Sequence, residues 1–202
     1  MSFLCIFGKK VYTLSNDQLQ IRKDGFSMTN PVLEAIADRR SIRGYKPEQI
    51  TKEQLDIILK AGEQAPSARN QQPWHFTVVQ NKDLIKEINE EAGKQLKREG
   101  SADVFYGAPT VIFLSCDPDG HPWTRLDCGI AVENMALAAH AIGLGSVIIG
   151  ICYMAFEGDK GDYFSKALKF PEKYTFAVSI AIGAPTMTKD AHPIEPGRID
   201  YV

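Results

Sequence analysis

Residues 127–145 read DCGIAVENMALAAHAIGLG. A surface helix normally sets an apolar stripe against a charged face, but here small and apolar residues fall on several sides. The spacing predicts a helix from about Asp127 to Leu144 that is central and packed all round. A one-domain chain of 202 residues can build a core large enough to surround it.

The flanking segments supply the rest of that core. Downstream, YTFAVSIAIGAP (174–185) reads as a final strand. Upstream, PTVIFLSC (109–116) is a near-continuous apolar run, the pattern of a strand buried on both faces. WHFTVVQ (74–80) alternates and is β-rich, and KDLIKEINEEAGKQLKRE (82–99) returns to helical spacing with Leu84, Ile88 and Leu96 inward. Thr51 and Gln54 form a capping-box pattern ahead of Leu55, Ile58, Leu59 and Ala65. Asn30 before Pro31 opens a helix whose apolar stripe is Val32, Leu33, Ile36 and Ala37, ending near Arg40 or Ser41. Helices and strands do not alternate regularly and no GxGxxG follows a strand, so a doubly wound dinucleotide fold fits poorly.

A hydrophobic fraction of 44%, 24% charged residues and a formal net charge of −2 describe an ordinary globular protein. That balance argues against a nucleic-acid surface that depends on bulk positive charge. The apolar stretch FLCIF (3–7) is too short for a signal or membrane segment. Four cysteines without a CxxC pair or metal-ligand spacing fit a reduced, cytoplasmic protein. Residues 1–27 lack clear periodicity and read as an N-terminal extension; the sequence begins again near Met28 or Thr29, and residues 28–202 form the expected domain.

Two polar stretches stand out against this frame. PSARNQQPW (66–74) gathers hydrogen-bonding side chains between two prolines, and RRSIR (39–43) places two arginines four apart around a serine. The plain reading of the first is a polar turn. That of the second is a basic last turn favoured by the helix dipole. The alternative for RRSIR is a phosphate site, since guanidinium forks match phosphate oxygens.

The order RRSIRGY, APSARNQQPWHF, FYGAP, DCGIAVENMALAAHAIGLGS and FAVSIAIGAP resembles the nitroreductase family of FMN-dependent oxidoreductases, over about residues 28–190. The resemblance implies an α+β fold with a small, mainly antiparallel sheet surrounded by helices, in an intertwined homodimer. It implies FMN as cofactor, NADH or NADPH as electron donor, and small-molecule acceptors such as nitroaromatics or quinones. A specialised reductive dehalogenase, a flavin-processing enzyme or a non-enzymatic flavin-binding dimer are the alternatives. By the same resemblance Arg39, Arg40, Ser41 and Arg43 hold the FMN phosphate and ribityl chain, Arg43 reaching towards the N1/O2 edge of the ring. Pro66, Ser67 and Asn70 meet the flavin from the partner subunit. Ile148, Ile149 and Gly150 lie beside the isoalloxazine, where a main-chain N–H reaches N5.

The flavin performs the redox chemistry in such enzymes, so no protein nucleophile, triad or metal is required. Asp127 and Glu133 read as capping and core polar contacts before an acid/base pair, and His140 as a buried or interface histidine. Cys152 has no resolving partner. Trp123, Phe105 and Tyr106 are candidates for the substrate pocket or for core packing. The C-terminal KDAHPIEPGRIDYV departs from the family pattern, leaving open whether Lys189, His192 or Arg198 meets the phosphate. The region between Gly93 and Phe105, where family members differ, is short.

Overall fold

The computed structural model describes the backbone of residues 3–7, 10–14, 19–22 and 25–28, and residues 30–96 and 103–202 in full. Thr29 and residues 97–102 lie outside them, and with them the expectations for the restart and for most of the 93–105 region. The chain forms two compact units, Met1–Asp38 and Arg39–Val202.

In the first unit, β1 (Phe3–Phe7) and β2 (Lys10–Leu14) pair antiparallel, as do β3 (Leu19–Arg22) and β4 (Gly25–Met28). Helix α1 (Pro31–Asp38) opens where expected, with Asn30 Oδ1 accepting from the N–H groups of Val32 and Leu33, both at 3.0 Å. It stops before Arg39, and no basic residue occupies its last turn. The helix-dipole account of RRSIR therefore fails.

The second unit is built on one four-stranded sheet. After α2 (Lys52–Glu63) come β5 (His75–Val79), α3 (Lys82–Gln95), β6 (Thr110–Cys116), α4 (Thr124–Ala141), β7 (Gly145–Ile149), α5 (Met154–Glu157), α6 (Gly161–Ala167) and β8 (Thr175–Gly183). The strand order is β5-β6-β8-β7, and every pairing is antiparallel. This is the α+β arrangement expected, with the last strand of the chain inside the sheet.

Alternation along the strands divides the core in two. Val111 and Phe113 of β6 join Ile88 and Ala92 of α3 and Phe164 of α6 on one face. Ile112 and Leu114 join Ile58 of α2 and Ala131, Met135 and Ala139 of α4 on the other. All seven residues of β6 are buried, as its unbroken apolar run requires. Each such side chain contributes about 1.5–3 kcal/mol relative to exposure. Thr51 makes the full capping box with Gln54 at the start of α2.

Helix α4 departs from expectation in an informative way. It starts three residues early, at Thr124, and within the chain it is not packed all round. Its buried positions, Thr124, Asp127, Cys128, Ala131, Val132, Met135, Ala136 and Ala139, form one stripe. The rest of its surface is only partly covered by this chain: Ile130 and Ala138 are half-buried against the core, and Leu126 is 58% exposed. Among the described residues no helix is long and apolar enough to cross a membrane.

Candidate functional site

Residues 39–46 form a strap at the free edge of the sheet. Strand β7 is an edge strand, and on its outer side Ser41 bridges Ser146 in parallel while the Ile42 N–H donates to the Ser146 carbonyl at 2.9 Å. Ile42 approaches so closely that a Cβ on Gly145 would stand 2.9 Å from its Cγ2, a position only glycine leaves open. The strap then crosses to the chain beyond β8: Lys46 N–H donates to Ala184 O at 2.8 Å and Thr186 N–H to Gly44 O at 3.0 Å. The Tyr45 hydroxyl donates to Ile42 O at 2.6 Å, and burial raises its pKa well above the usual tyrosine range.

This scaffolding leaves the arginine side chains at the rim. Arg39 Nε lies 3.0 Å from Glu133 Oε1 of α4. Arg40 is half-buried and turns one Nη to the Arg39 carbonyl at 2.8 Å. The guanidinium of exposed Arg43 stands 5.6 Å from the ring centroid of Tyr106, a cation–π contact. Tyr106 and Gly107 sit consecutively in the left-handed region, φ 57° and 70°, which turns the tyrosine out to meet it. Phe105, by contrast, is fully buried core, and Trp123 is 55% exposed.

The loop 66–72 is held differently. Arg69, Asn70 and Gln72 all have positive φ, 54°, 55° and 48°. Left-handed backbone costs L-residues roughly 1–2 kcal/mol each, and such strain persists only where the surroundings impose it. Ser67 Oγ accepts from the Gln72 N–H at 2.9 Å, and Asn70 Oδ1 accepts from Gln72 Nε2 at 3.1 Å. The Ala68 N–H reaches both carboxylate oxygens of buried Asp127 at 3.2 Å. Asp127 and Glu133 are thus two separate anchors, one for the loop and one for the strap; Asp127 is the buried polar contact expected, whereas Glu133 is a partly exposed ion-pair partner. Pro66 and Asn70 are exposed and Ser67 half-buried.

At the far end of β7 the side chains alternate. Ile149 points into the core, whereas Ile148 is 37% exposed for an isoleucine in a sheet and Gly150 faces open space, with nothing within 4 Å of where a Cβ would stand. Within one chain the structure bonds Ser41 and Ile42 to Ser146 near the start of β7, with Arg39, Arg40 and Arg43 on the same strap, while Ile148 lies towards the other end of that strand and Gly150 just beyond it. It does not bring Pro66, Ser67 and Asn70 into hydrogen bonding with them. Lys189, His192 and Arg198 lie on an exposed C-terminal segment without regular structure. A cavity of about 750 Å³ adjoins Gly150 and Tyr153 and is lined also by Arg125 and by Phe156, Phe170 and Phe176. Phe156 and Phe176 stack at 4.9 Å.

Sequence reading missed Tyr45 and Ser146, which seat the strap, and β7 itself. The pattern GSVII after a Gly-Leu-Gly turn was the available signal for the strand.

A small all-antiparallel sheet with an arginine strap sewn to its edge defines a class apart from the doubly wound nucleotide binders. A profile of the Nitroreductase family matches residues 36–184. The chain belongs to the nitroreductase family. It is 32% identical over 198 residues to a protein of Methanothermobacter thermautotrophicus provisionally named NADH dehydrogenase/NAD(P)H nitroreductase, covering 95% of this chain and 97% of that one. An FMN reductase [NAD(P)H] of Bacillus subtilis is 32% identical over 178 residues, covering 77% and 66%. The crystal structure of a nitroreductase with bound FMN from Desulfitobacterium hafniense superposes with a TM-score of 0.81 at 36% identity, covering 87% of this chain and all of that one.

Proposed function

We propose that this protein is an FMN-dependent NAD(P)H oxidoreductase that reduces small electron-poor acceptors, nitroaromatics or quinones, by a ping-pong scheme in which donor and acceptor use one place in turn. The observation that carries this is the bonding of the arginine strap to β7: Ser41 and Ile42 meet Ser146 near the start of an edge strand that carries exposed Ile148 and leads to unobstructed Gly150.

The residues present fit the cofactor. Exposed Ile148 offers an apolar seat for a flat ring, and Gly150 leaves room for it with its backbone uncovered. Bound FMN supplies hydride uptake and delivery at its ring. Arg39, Arg40 and Ser41 hold the phosphate and ribityl end. Arg43, braced by Tyr106, places a fixed positive charge where the reduced ring becomes anionic. The open cavity next to Gly150 and Tyr153, lined by Phe156, Phe170 and Phe176 and by charged side chains including Arg125 and Lys166, gives an acceptor a place to lie.

The site is assembled from two copies of the chain. Asp127 and Glu133 are six residues apart, so the loop and the strap meet α4 about 9 Å apart along its axis and some 120° apart around it. Loop residues Pro66, Ser67 and Asn70 are therefore poised for the flavin of the other subunit, and the half-covered apolar residues of α4, with exposed Leu126, support a large interface between them. Free thiols at Cys116, Cys128 and Cys152 suit a cytoplasmic enzyme.

The test is optical. Protein purified without added flavin is expected to be yellow, dimeric by light scattering, and bleached by NADH or NADPH in the absence of oxygen. A colourless protein that takes up no FMN on titration would overturn the proposal.

A further inference from the structure

Behind Gly150 lies a buried polar cluster that the flavin chemistry does not itself call for. The Ser179 hydroxyl, on central strand β8, donates to the Ile149 carbonyl at 3.0 Å. The Cys152 thiol stands 3.2 Å from Ser179 Oγ, a contact in which either group can donate, and 3.9 Å from the Ile149 carbonyl, to which its S–H also donates. All three residues are buried, Ser179 and Cys152 completely. Burial pushes the Cys152 thiol up to about 12, which keeps its proton in place at neutral pH. Ser179 and Cys152 thus converge on Ile149 O, and they close the turn in which the Tyr153 N–H returns to Gly150 O at 3.0 Å.

The peptide joining Ile149 to Gly150 is planar and trans, so its carbonyl and its N–H point in opposite directions. A carbonyl drawn inward to Ser179 turns the Gly150 N–H outward, and Gly150 is an exposed residue. We infer that Ser179 and Cys152 are positioning residues that hold the Gly150 N–H towards the flavin ring. This rests on the placement of FMN beside Gly150.

The experiment uses FMN-loaded protein carrying ¹⁵N-glycine, or flavin labelled with ¹⁵N at N5, in wild type, Ser179→Ala, Cys152→Ala and Cys152→Ser. In wild type, replacing bound oxidised FMN by a flavin with carbon at position 5 should shift the Gly150 amide resonance. Ser179→Ala should speed exchange of the Gly150 amide, move the N5 resonance and weaken FMN binding by about 5-fold, the scale of one lost hydrogen bond. Cys152→Ala should do the same to a smaller degree, and Cys152→Ser, which restores a donor, should return all three readouts to wild-type values. A wild-type Gly150 resonance indifferent to the 5-carba exchange overturns both the flavin placement and the inference. A responsive wild type whose Ser179→Ala and Cys152→Ala variants keep its exchange rate, N5 resonance and affinity overturns the positioning role alone. Should Ser179→Ala fail to fold, the two Cys152 variants decide on the same readouts.

Discussion

The strap at 39–46 and the loop at 66–72 present polar groups by opposite means. The strap borrows rigidity from the sheet: its backbone is bonded to Ser146 on one side and to Ala184 and Gly44's partner Thr186 on the other, in relaxed conformation. The loop has no strand to lean on. It holds its shape with three left-handed residues, its own side chains and a long-range anchor at Asp127. A segment built on a ladder can spare its side chains for a ligand, whereas a free-standing loop spends part of its polar inventory on itself.

That contrast breaks first at the anchor. Asp127→Ala should destabilise the protein by about 2 to 3 kcal/mol, the cost of removing a buried charged acceptor and stranding the Ala68 N–H. It should also make the loop the earliest site of proteolytic cleavage, while the strap stays protected. Unchanged thermal stability would mean that the loop supports itself.

The strap has its own weakness, in alkali. Because the folded-state pKa of Tyr45 is raised by burial, its contribution is complete below the unfolded value near 10 and is lost as pH climbs beyond it. Each pH unit in that window should cost about 1.4 kcal/mol for this one group. Urea titrations between pH 9.5 and 11.5 should give a shallower slope for Tyr45→Phe than for wild type; identical slopes would remove Tyr45 as the titrating anchor.

Within the loop, two substitutions at one position separate conformation from contact. Asn70→Ala loses the Gln72 bond and puts a Cβ without polar compensation at φ 55°. Asn70→Gly loses the bond but accepts that φ freely. Both should weaken FMN binding by a comparable amount, about 1 kcal/mol, and only the alanine variant should also lose stability. An FMN affinity unchanged in both would return the loop to an ordinary polar turn.

The smallest effect sharpens the strap's side of the comparison. Arg43→Ala in protein saturated with FMN should lower the two-electron potential by roughly 30 mV if the guanidinium contributes about 1.4 kcal/mol more to the reduced ring. Arg40→Ala should leave the potential in place, since its half-buried side chain is turned to the Arg39 carbonyl. Equal potentials in wild type and Arg43→Ala would move that charge away from the ring.

Much of the fold was legible because local signals agreed. TVIFLSC has the unbroken apolar run of a strand buried on both faces, and Asn30 and Thr51 open helices where the structure opens them. Legibility failed where a residue's partner is distant. Nothing in Asp127 announces Ala68, 59 positions away, and nothing in Ser179 announces Ile149. Arg69 and Gln72 are not residues that favour positive φ, so the strain of the loop is imposed from outside its own sequence. Strand β7 has only five residues and takes its meaning from a partner made later. The unusually apolar character of α4 was legible from composition, but the expected packing all round is not met within one chain, which buries one stripe of it and half-covers much of the rest.

That late partner bears on how the protein is born. β8 lies between β6 and β7, yet it leaves the ribosome after both of them. About sixty residues separate the end of β6 from the start of β8, a delay of several seconds at ordinary synthesis rates of about 5–20 residues per second. Throughout that interval the nascent chain carries the most apolar strand of the molecule with one edge unpaired, a condition that favours sticking to its neighbours on the polysome. Cellular yield should accordingly depend on holdase chaperones that cover residues 110–116, and messages cut short before Thr175 should give insoluble product rather than a smaller folded protein.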